Sequence, residues 1–270
     1  MRKIHFYLIC LFLCFPLISS CVIAVVEYSS DRYRMPGKEF HETLPFPEEG
    51  ELVLENIYGN IEIHGWDKDE VEIFAKRILP RRYGHKFRIS NMNEFFPGID
   101  VDEKQNTIHI RTEQVENREE QGQVDYILNV PRFIHLKHIG QKTGDILISS
   151  VYGSADIDLD RGNIVVENFS GSLSALVREG EIELHLFDVR DEDEIRAETD
   201  LGNIVVYLEE NVNILIEAEA QEGRIFTEFN SDRSRSLGRY YHKIGEGEAR
   251  LFLISAEGEI HIKRAKTFRY

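Results

Sequence analysis

The side chains with the clearest chemical potential are one cysteine near the N-terminus and a carboxylate–imidazole pair farther along the chain. Cys21 carries a thiol that can be acylated. Glu167 and His185 each stand five residues after a glycine, so they occupy equivalent places in a local pattern. A carboxylate beside an imidazole can exchange protons in general acid–base catalysis. The elements that carry these residues decide which of these chemistries is available.

Cys21 follows a segment with the composition of an export signal. Two basic residues precede an apolar run over residues 4–18, and the run ends in the letters ISSC, which resemble a bacterial lipobox. This resemblance implies cleavage before Cys21 and a diacylglyceryl thioether on its sulfur, so residues 1–20 are predicted to be a signal peptide. The alternative is that residues 4–26 remain as an uncleaved transmembrane anchor. Both interpretations predict that the rest of the chain is held at a membrane.

Cysteine usage and charge limit the function further. The other cysteines, Cys10 and Cys14, lie within the predicted signal peptide, so the mature chain has no second thiol for an intrachain disulfide. Loss of two basic residues with the signal takes the formal net charge from −16 to −18. Such a charge disfavours nucleic acid as a partner, because a polyanion is repelled by an acidic protein without a basic stripe. Val22 follows the cysteine where an aspartate would favour inner-membrane retention, so an outer-membrane or surface location stays open.

Glycines recur every nine residues in the second half of the sequence. Apolar residues stand two, four and often six places after each of them, with mostly polar residues between, which is typical of strands that bury one face. The residue after the glycine alternates between two kinds, so the repeating unit is about 18 residues with two unlike strands. The glycines are Gly144, Gly153, Gly162, Gly171 and Gly180, followed at wider spacing by Gly202, Gly223 and Gly258.

This pattern predicts an all-β fold, a parallel β-helix or solenoid-like stack of coils of about 18–22 residues. An antiparallel meander of nine-residue hairpins is the alternative, and the 18-residue period favours coils because like strands then stack on like. We therefore predict three segments: the signal peptide 1–20, a lipid-anchored linker over 21–48, and an adhesin-like β-repeat domain over 49–265. No long amphipathic helix is expected.

Two stretches of the sequence resemble a known family. ENIYGNIEIHGWDKDEVEI at 55–73 and VDYILNVPRFIHLKHIGQKTGDILI at 124–148 resemble the bacterial adhesin-like β-strand-repeat family of unknown function. The shared marks are a Gly-Asn-Ile turn, a Gly-Trp-Asp turn, a strand ending in Val-Pro and repeated Gly-polar-Ile turns. The resemblance covers about residues 48 to 264. It implies a β-helical body at the cell envelope, and it supplies no catalytic residues.

A solenoid would bring Glu167 and His185 together. If coils stack in register, the two side chains point outward on adjacent strands about 4.8 Å apart, with Ser149 and Tyr207 in the same row. This row could support proton transfer, but a glycan-cleaving enzyme also needs a second placed carboxylate and a groove. The simpler interpretation is an exposed polar row, so no catalytic residue is predicted.

Other candidate sites each have a structural alternative. Trp66 could be a platform for a sugar, or a turn residue packed on the end of the solenoid. His135 and His138 would point to opposite faces of a strand, so no transition-metal site and no cofactor are expected. Three alternating aspartates with the acidic loop 191–194 could hold calcium, or form a solvated acidic face. An outward apolar row could be a contact surface, or be covered by N-terminal strands. The aspartates are Asp156, Asp158 and Asp160, and the apolar row is Leu147, Val165 and Val205.

The sequence therefore favours a non-enzymatic protein of the cell envelope. Its membrane contact would be the lipid on Cys21, and its β-solenoid would act as a scaffold or an adhesin-like domain for a protein or glycan ligand. The alternative is a carbohydrate-active β-helix enzyme acting on envelope or host glycans, with Glu167 and His185 in its site.

Overall fold

The computed structural model describes residues 34–47, 49–80, 96–115, 122–229 and 236–265. Contacts divide the chain into residues 1–32 and a second unit, residues 33–270, and all the described residues lie in the second. This described part contains strands and no helix, so it holds no helix that could cross a membrane. The predicted signal peptide and Cys21 lie outside the described residues.

The strands are short and follow one another with few intervening residues. They are β1 Arg34–Pro45, β2 Glu51–Tyr58, β3 Ile61–Trp66, β4 Glu70–Pro80, β5 Gly98–Lys104, β6 Thr107–Glu113, β7 Gln123–Pro131, β8 His135–Thr143, β9 Ile146–Ser149, β10 Ala155–Arg161, β11 Ile164–Phe169, β12 Leu173–Glu179, β13 Ile182–Leu186, β14 Glu194–Leu201, β15 Ile204–Leu208, β16 Ile214–Thr227, β17 Ser236–Ile244, β18 Ala249–Glu257 and β19 Ile260–Arg264.

The strand pairings trace two faces of a solenoid. The first face runs β5–β6–β2–β8–β10–β12–β14–β18–β16–β17, and the second runs β1–β4–β7–β3–β9–β11–β13–β15–β19, with the end of β16 beside β19. Each coil gives one strand to each face, and the pairs between coils are parallel. Ala155 pairs with Leu173, and Ile164 with Ile182, at the predicted 18-residue offset. The solenoid is confirmed, and the antiparallel meander is excluded for these coils.

The core lies between the two faces and is built by alternation along each strand. In the second face, one row of aliphatic side chains crosses five successive coils with at most 1% of each exposed: Ile146, Ile164, Ile182, Ile204 and Ile260. Burying one such side chain contributes about 1.5–3 kcal/mol. Because the side chains of each coil pack against those of the next, every added coil extends the same hydrophobic core.

Glycines and amides stack at the turn from the first face to the second. A Cβ on Gly162 would come 2.0 Å from the carbonyl oxygen of Gly144, and the backbone of Gly162 has a φ of +136°. Beside this glycine column, side-chain oxygens join successive coils: Asp145 Oδ1 accepts from the Asn163 N–H at 2.8 Å, and Asn163 Oδ1 accepts from the Glu181 N–H at 3.0 Å. The column consists of Gly59, Gly144, Gly162, Gly180, Gly202, Gly258 and Gly223.

The order of coils departs from the order of the sequence at both ends. The coil of β2 and β3 lies between that of β6 and β7 and that of β8 and β9. The coil of β18 and β19 lies between that of β14 and β15 and strand β16. Antiparallel strands then finish the stack, with β5 on β6, β1 on β4 and β17 on β16. Together with β4, which runs antiparallel on β7, these strands cover parallel edges that would otherwise present free backbone groups.

Part of the predicted linker is a strand. Residues 34–45, which the sequence analysis placed in the linker 21–48, form β1 and pair with β4 over most of its length. The sequence of β1 does not show a regular alternation of apolar and polar residues, because it contains two prolines and a register shift between Pro36 and Glu39. The strand runs antiparallel at the edge of the second face, so it extends that sheet in its plane.

Candidate functional site

Three aromatic rings form a continuous row where the chain returns from the second face to the first. The ring centroids of Phe133 and Tyr152 lie 5.9 Å apart, with an edge-on angle of 67°. Those of Tyr152 and Phe187 lie 6.4 Å apart. Phe133 and Phe187 are 46% and 47% exposed although both rings are apolar. We call these three residues the aromatic corner.

Hydrogen bonds and an ion pair hold the central ring of the corner. The side-chain amide of Asn168 donates to the Tyr152 hydroxyl at 3.1 Å and to Ser150 Oγ at 3.1 Å. The guanidinium of Arg132 lies over the Tyr152 ring, 5.6 Å from its centroid, and is itself bound by Asp67. Ser150 and Asn168 have left-handed backbones, with φ of 58° and 50°, as expected of residues at tight turns. The corner is therefore organised before any ligand arrives.

A groove of about 660 Å³ begins on the first face beside this corner. Its floor is made of short side chains, Ser154, Ser172 and Ser174, which project less than the charged residues at its sides. His135 Nδ1 lies 2.9 Å from Ser154 Oγ, and the Glu194 N–H donates to Ser172 Oγ at 3.1 Å. We call it the serine groove; its sides are Glu51, His135, Lys137, Asp156, Glu194 and Arg196.

The charges near the corner and groove are paired with one another. The Lys137 ammonium donates to Glu51 at 2.8 Å, and together with Thr107 it holds the pKa of the Glu51 carboxyl below its ordinary value. Hydrogen bonding from Arg132 lowers the pKa of Asp67 in the same way. These groups are at the surface, where water weakens such pairs. The cations Lys137 and Arg132 beside the groove and corner therefore already have carboxylate partners in a strongly acidic protein.

The prediction that His135 and His138 point to opposite faces is wrong. The partner of Leu136 is Leu52, and the partner of His138 is the next residue, Val53, so β8 contains a bulge at Lys137. A bulge inserts one extra residue and reverses the alternation after it. Both histidines therefore face outward, where His138 Nδ1 lies 4.0 Å from Asp156 and His135 contacts Ser154.

The parallel register places Glu167 opposite His185 on the outer side of the second face, with Ser149 and Tyr207 in the same row. His185 Nε2, however, lies 2.7 Å from a carboxylate oxygen of Glu183 on its own strand. The His185 ring also stacks on Tyr207, with centroids 4.3 Å apart. This row is on the outer side of the second face, whereas the serine groove lies on the first face.

The aspartates of β10 point outward, and two of them lie close to basic side chains. Asp160 lies 3.7 Å from Arg178, and Asp156 lies near His138. In the acidic loop, the buried side chain of Asp193 accepts a hydrogen bond from the Arg190 N–H at 2.8 Å and so shapes the turn. Across the described ranges, no group of three or more histidine, cysteine, aspartate or glutamate side chains is arranged to hold a metal ion.

Trp66 and the outward apolar row also have defined places. The Trp66 indole N–H donates to the Glu70 carbonyl at 2.9 Å, and the Lys68 ammonium lies over the ring. This half-buried tryptophan ends β3 beside Arg132. Leu147 and Val165 are paired neighbours on the outer side of the second face and are half-buried. The first strand does not cover them, because β1 lies at the sheet edge.

The aromatic corner was not among the sites predicted from the sequence. Its rings come from three separate turns, and their spacings in the sequence, 152 − 133 = 19 and 187 − 152 = 35 residues, are not multiples of the 18-residue period. The sequence nevertheless contained a clue to the corner. An aromatic residue follows each of three second-face strands, within the turn that leads back to the first face: Phe133, Tyr152 and Phe187. Aromatic residues at the same turn of nearby coils lie on one corner because the turns stack.

The second half of the chain matches a known family. Residues 137–263 match the family model described as Toastrack DUF4097. This match confirms the β-strand-repeat resemblance for that part of the chain. A search of curated proteins found no match to the chain.

The chain is also similar to solved structures at low sequence identity. A protein of Clostridium sporogenes ATCC 15579, proposed to be a cell adhesion protein, is 15% identical with a TM-score of 0.52, over 86% of this chain and 100% of that one. A proposed adhesin of Bacteroides fragilis NCTC 9343 is 16% identical with a TM-score of 0.31, over 83% and 97%. A proposed lipid-binding protein of Parabacteroides distasonis ATCC 8503 is 13% identical with a TM-score of 0.35, over 84% and 98%. At this identity, the similarity to the Clostridium sporogenes protein shows a shared fold and nothing about function.

Proposed function

We propose that this chain, which matches the Toastrack model over residues 137–263, is a non-enzymatic binding protein of the bacterial cell envelope. A lipid on Cys21 attaches it to the membrane, and the β-solenoid carries the binding surface. The adhesin-like names of proteins with a similar fold are consistent with a surface or envelope location.

The observation that carries the binding function is the aromatic corner with the serine groove beside it. Exposed aromatic rings next to a polar depression provide both apolar contact area and hydrogen-bonding groups. Asn168 and Arg132 already hold the Tyr152 ring, so little side-chain order is lost when a ligand binds. A rigid solenoid suits this role because its turns fix the spacing of the rings.

The geometry of the Glu167 row favours binding over catalysis. His185 contacts Glu183 and Tyr207 within a flat outer face, and the groove that could hold a substrate lies on the other side. Acid–base catalysis requires that the proton-transferring groups reach the reacting atoms of a bound substrate. A depression that contains neither Glu167 nor His185 does not place them there.

Membrane attachment rests on the lipobox-like ISSC sequence. The mass of the protein extracted from membranes with detergent tests it, for the wild type and for Cys21→Ala. We expect the wild type to lack residues 1–20 and to carry acyl chains, and the variant to lose both features. A full-length unmodified chain in both samples would contradict lipidation and leave residues 4–26 as the anchor.

The binding surface is tested by filling the groove. Ser174 lines the groove and is half-buried, so Ser174→Tyr places a ring over the floor. Ala256→Tyr is the matched control, because Ala256 also points outward on the first face, at the far end of β18. We expect Ser174→Tyr to reduce cosedimentation of the detergent-solubilised full-length protein with isolated cell walls, and the control to bind as the wild type does. Equal binding of all three proteins would rule out the groove as the binding surface.

A further inference from the structure

We propose that the aromatic corner, formed by Phe133, Tyr152 and Phe187, binds an uncharged glycan chain. This inference rests on the proposed binding function and names its ligand class. The rings lie one after another along the stacking axis, and neighbouring centroids are 5.9 and 6.4 Å apart. This separation is comparable to the length of one sugar residue in an extended oligosaccharide. The ring planes are inclined to one another by 67° and 38°, so successive sugars of a glycan along this row would contact ring edges as well as ring faces.

Polar residues border the row of rings on both sides, as a sugar requires. On the side of the second face lie Ser150 and Asn168, whose hydroxyl and amide groups are hydrogen-bonded to each other. On the side of the first face lie Ser154 and Ser172 on the floor of the groove. A sugar presents carbon-bound hydrogens on its faces and hydroxyls around its rim, so rings flanked by hydroxyl and amide groups match it chemically.

The narrowness of the apolar row disfavours a folded protein as the occupant. A stable protein interface buries about 800 Å² on each partner around an apolar centre. In the corner, the position one coil beyond Tyr152 is Ser170, which is buried, and among the described residues the exposed large hydrophobic side chains at this turn are Phe133 and Phe187. An elongated ligand made of small units can contact more of this narrow surface than a folded protein can.

Charge around the rings indicates an uncharged ligand. Arg132 beside Tyr152 is bound by Asp67, and Arg190 near Phe187 lies 3.8 Å from Asp193. Each nearby guanidinium is thus already paired with a carboxylate, and the whole chain has a formal net charge of −16. An acidic glycan or an anionic lipid surface would meet this negative field while the guanidinium groups that the structure describes beside the rings are already paired.

The test is calorimetric titration of the full-length protein in detergent with cellohexaose, laminarihexaose and N-acetylchitohexaose, and with a hyaluronan hexasaccharide as the acidic comparison. We expect at least one uncharged hexasaccharide to bind and hyaluronan not to bind. Phe133→Ala and Phe187→Ala should each weaken binding by about 3- to 10-fold, since one stacked aromatic contact is of this strength. The double variant should lose measurable binding.

The control is Tyr241→Ala, which removes a ring that is 68% exposed and lies on β17, away from the corner. It should bind as the wild type does, and circular dichroism should show that all variants retain the same strand content. Asn168→Ala frees the Tyr152 hydroxyl without removing a ring, and should weaken binding less than either phenylalanine substitution.

Three results would overturn the inference. They are failure of all three uncharged hexasaccharides to bind, binding that the phenylalanine substitutions leave unchanged, and binding of hyaluronan through the same rings. If Ser174→Tyr still reduces binding to cell walls in the first case, the proposed binding function stands and only the glycan is wrong. If cell-wall binding is also absent from the wild type, both fail.

Discussion

Gly162 lies directly over Gly144, and a Cβ on Gly162 would come 2.0 Å from the Gly144 carbonyl oxygen. The same approach recurs from coil to coil, with Gly180 over Gly162 and Gly202 over Gly180. Stacked turns can come this close only where neither residue has a side chain. The glycine column therefore sets how closely the coils approach, and so supports the corner at the other end of the same coils.

Gly162→Ala should destabilise the protein by more than about 2 kcal/mol, because it combines a backbone conformation that non-glycine residues rarely adopt with a clash against main chain. Its φ is +136°, and the atom it meets is a backbone carbonyl that cannot move aside. Urea unfolding monitored by circular dichroism measures the change. Gly238→Ala is the matched control: φ there is +86°, but nothing lies within 4 Å of the new Cβ. A loss no larger than that of the control would show that the close approach does not matter.

Asn163→Ala should cost about 1 kcal/mol in the free energy of unfolding, because it leaves the Glu181 N–H without its side-chain acceptor. Asn163→Asp keeps an Oδ1 atom at that place, as Asp145 does on the preceding coil, and should cost less. Both are measured by chemical denaturation at low salt and at 0.5 M salt (about a 4 Å screening length), since the aspartate adds charge beside Asp145. If the two variants lost the same free energy of unfolding at high salt, the hydrogen bond from the Glu181 N–H to the side chain at position 163 would not be stabilising.

The buried Tyr126 hydroxyl should make the protein lose stability at high pH. Burial raises the pKa of Tyr126 from 10.0 to about 12, and the ring is 1% exposed. Since the folded pKa is raised, this contribution is fully present below pH 10 and is lost as pH rises from 10 through 12. The rise corresponds to about 3 kcal/mol.

Tyr126→Phe is the comparison for this prediction. The variant loses the hydrogen bond between Tyr126 and Thr112, which is 2.8 Å long, so it should be less stable than the wild type at pH 8. Its free energy of unfolding should nevertheless fall less steeply between pH 10 and 12, because it has one fewer buried hydroxyl to ionise. Parallel pH profiles for the two proteins would contradict the assignment. Burial also raises the pKa of Tyr240, so some slope should remain.

Glu167→Gln and His185→Ala should leave binding to cell walls and to oligosaccharides unchanged. Both residues lie on the second face, and the groove opens on the first. His185→Ala should cost less than about 1.5 kcal/mol in stability, the upper range for one aromatic contact, because its ring stacks on Tyr207. Reducing-sugar release from cell walls provides the decisive measurement. Turnover by the wild type that either substitution abolishes would establish the enzyme alternative.

Local sequence predicted the repeating part of the fold well. The residues from Gly144 to Leu186 have the predicted strands, the predicted inward and outward alternation and the 18-residue register that sets Glu167 opposite His185. These features follow from short-range rules, because a strand alternates every residue and a glycine permits the turn. The bulge at Lys137 escaped the same reasoning, since a single extra residue leaves the composition of β8 unchanged.

The sequence by itself determined the strand period, the buried face of each strand and the positions that must be glycine. Only the tertiary structure decided that β2 and β3 enter between later coils, that β1 and β17 close the sheet edges, and that Phe133, Tyr152 and Phe187 share one corner. The physical reason is the range of the interactions. Alternation and turns depend on neighbours in the chain, whereas coil order and the grouping of rings depend on which strand edges pair, and many edges in a repeat offer nearly the same backbone partners.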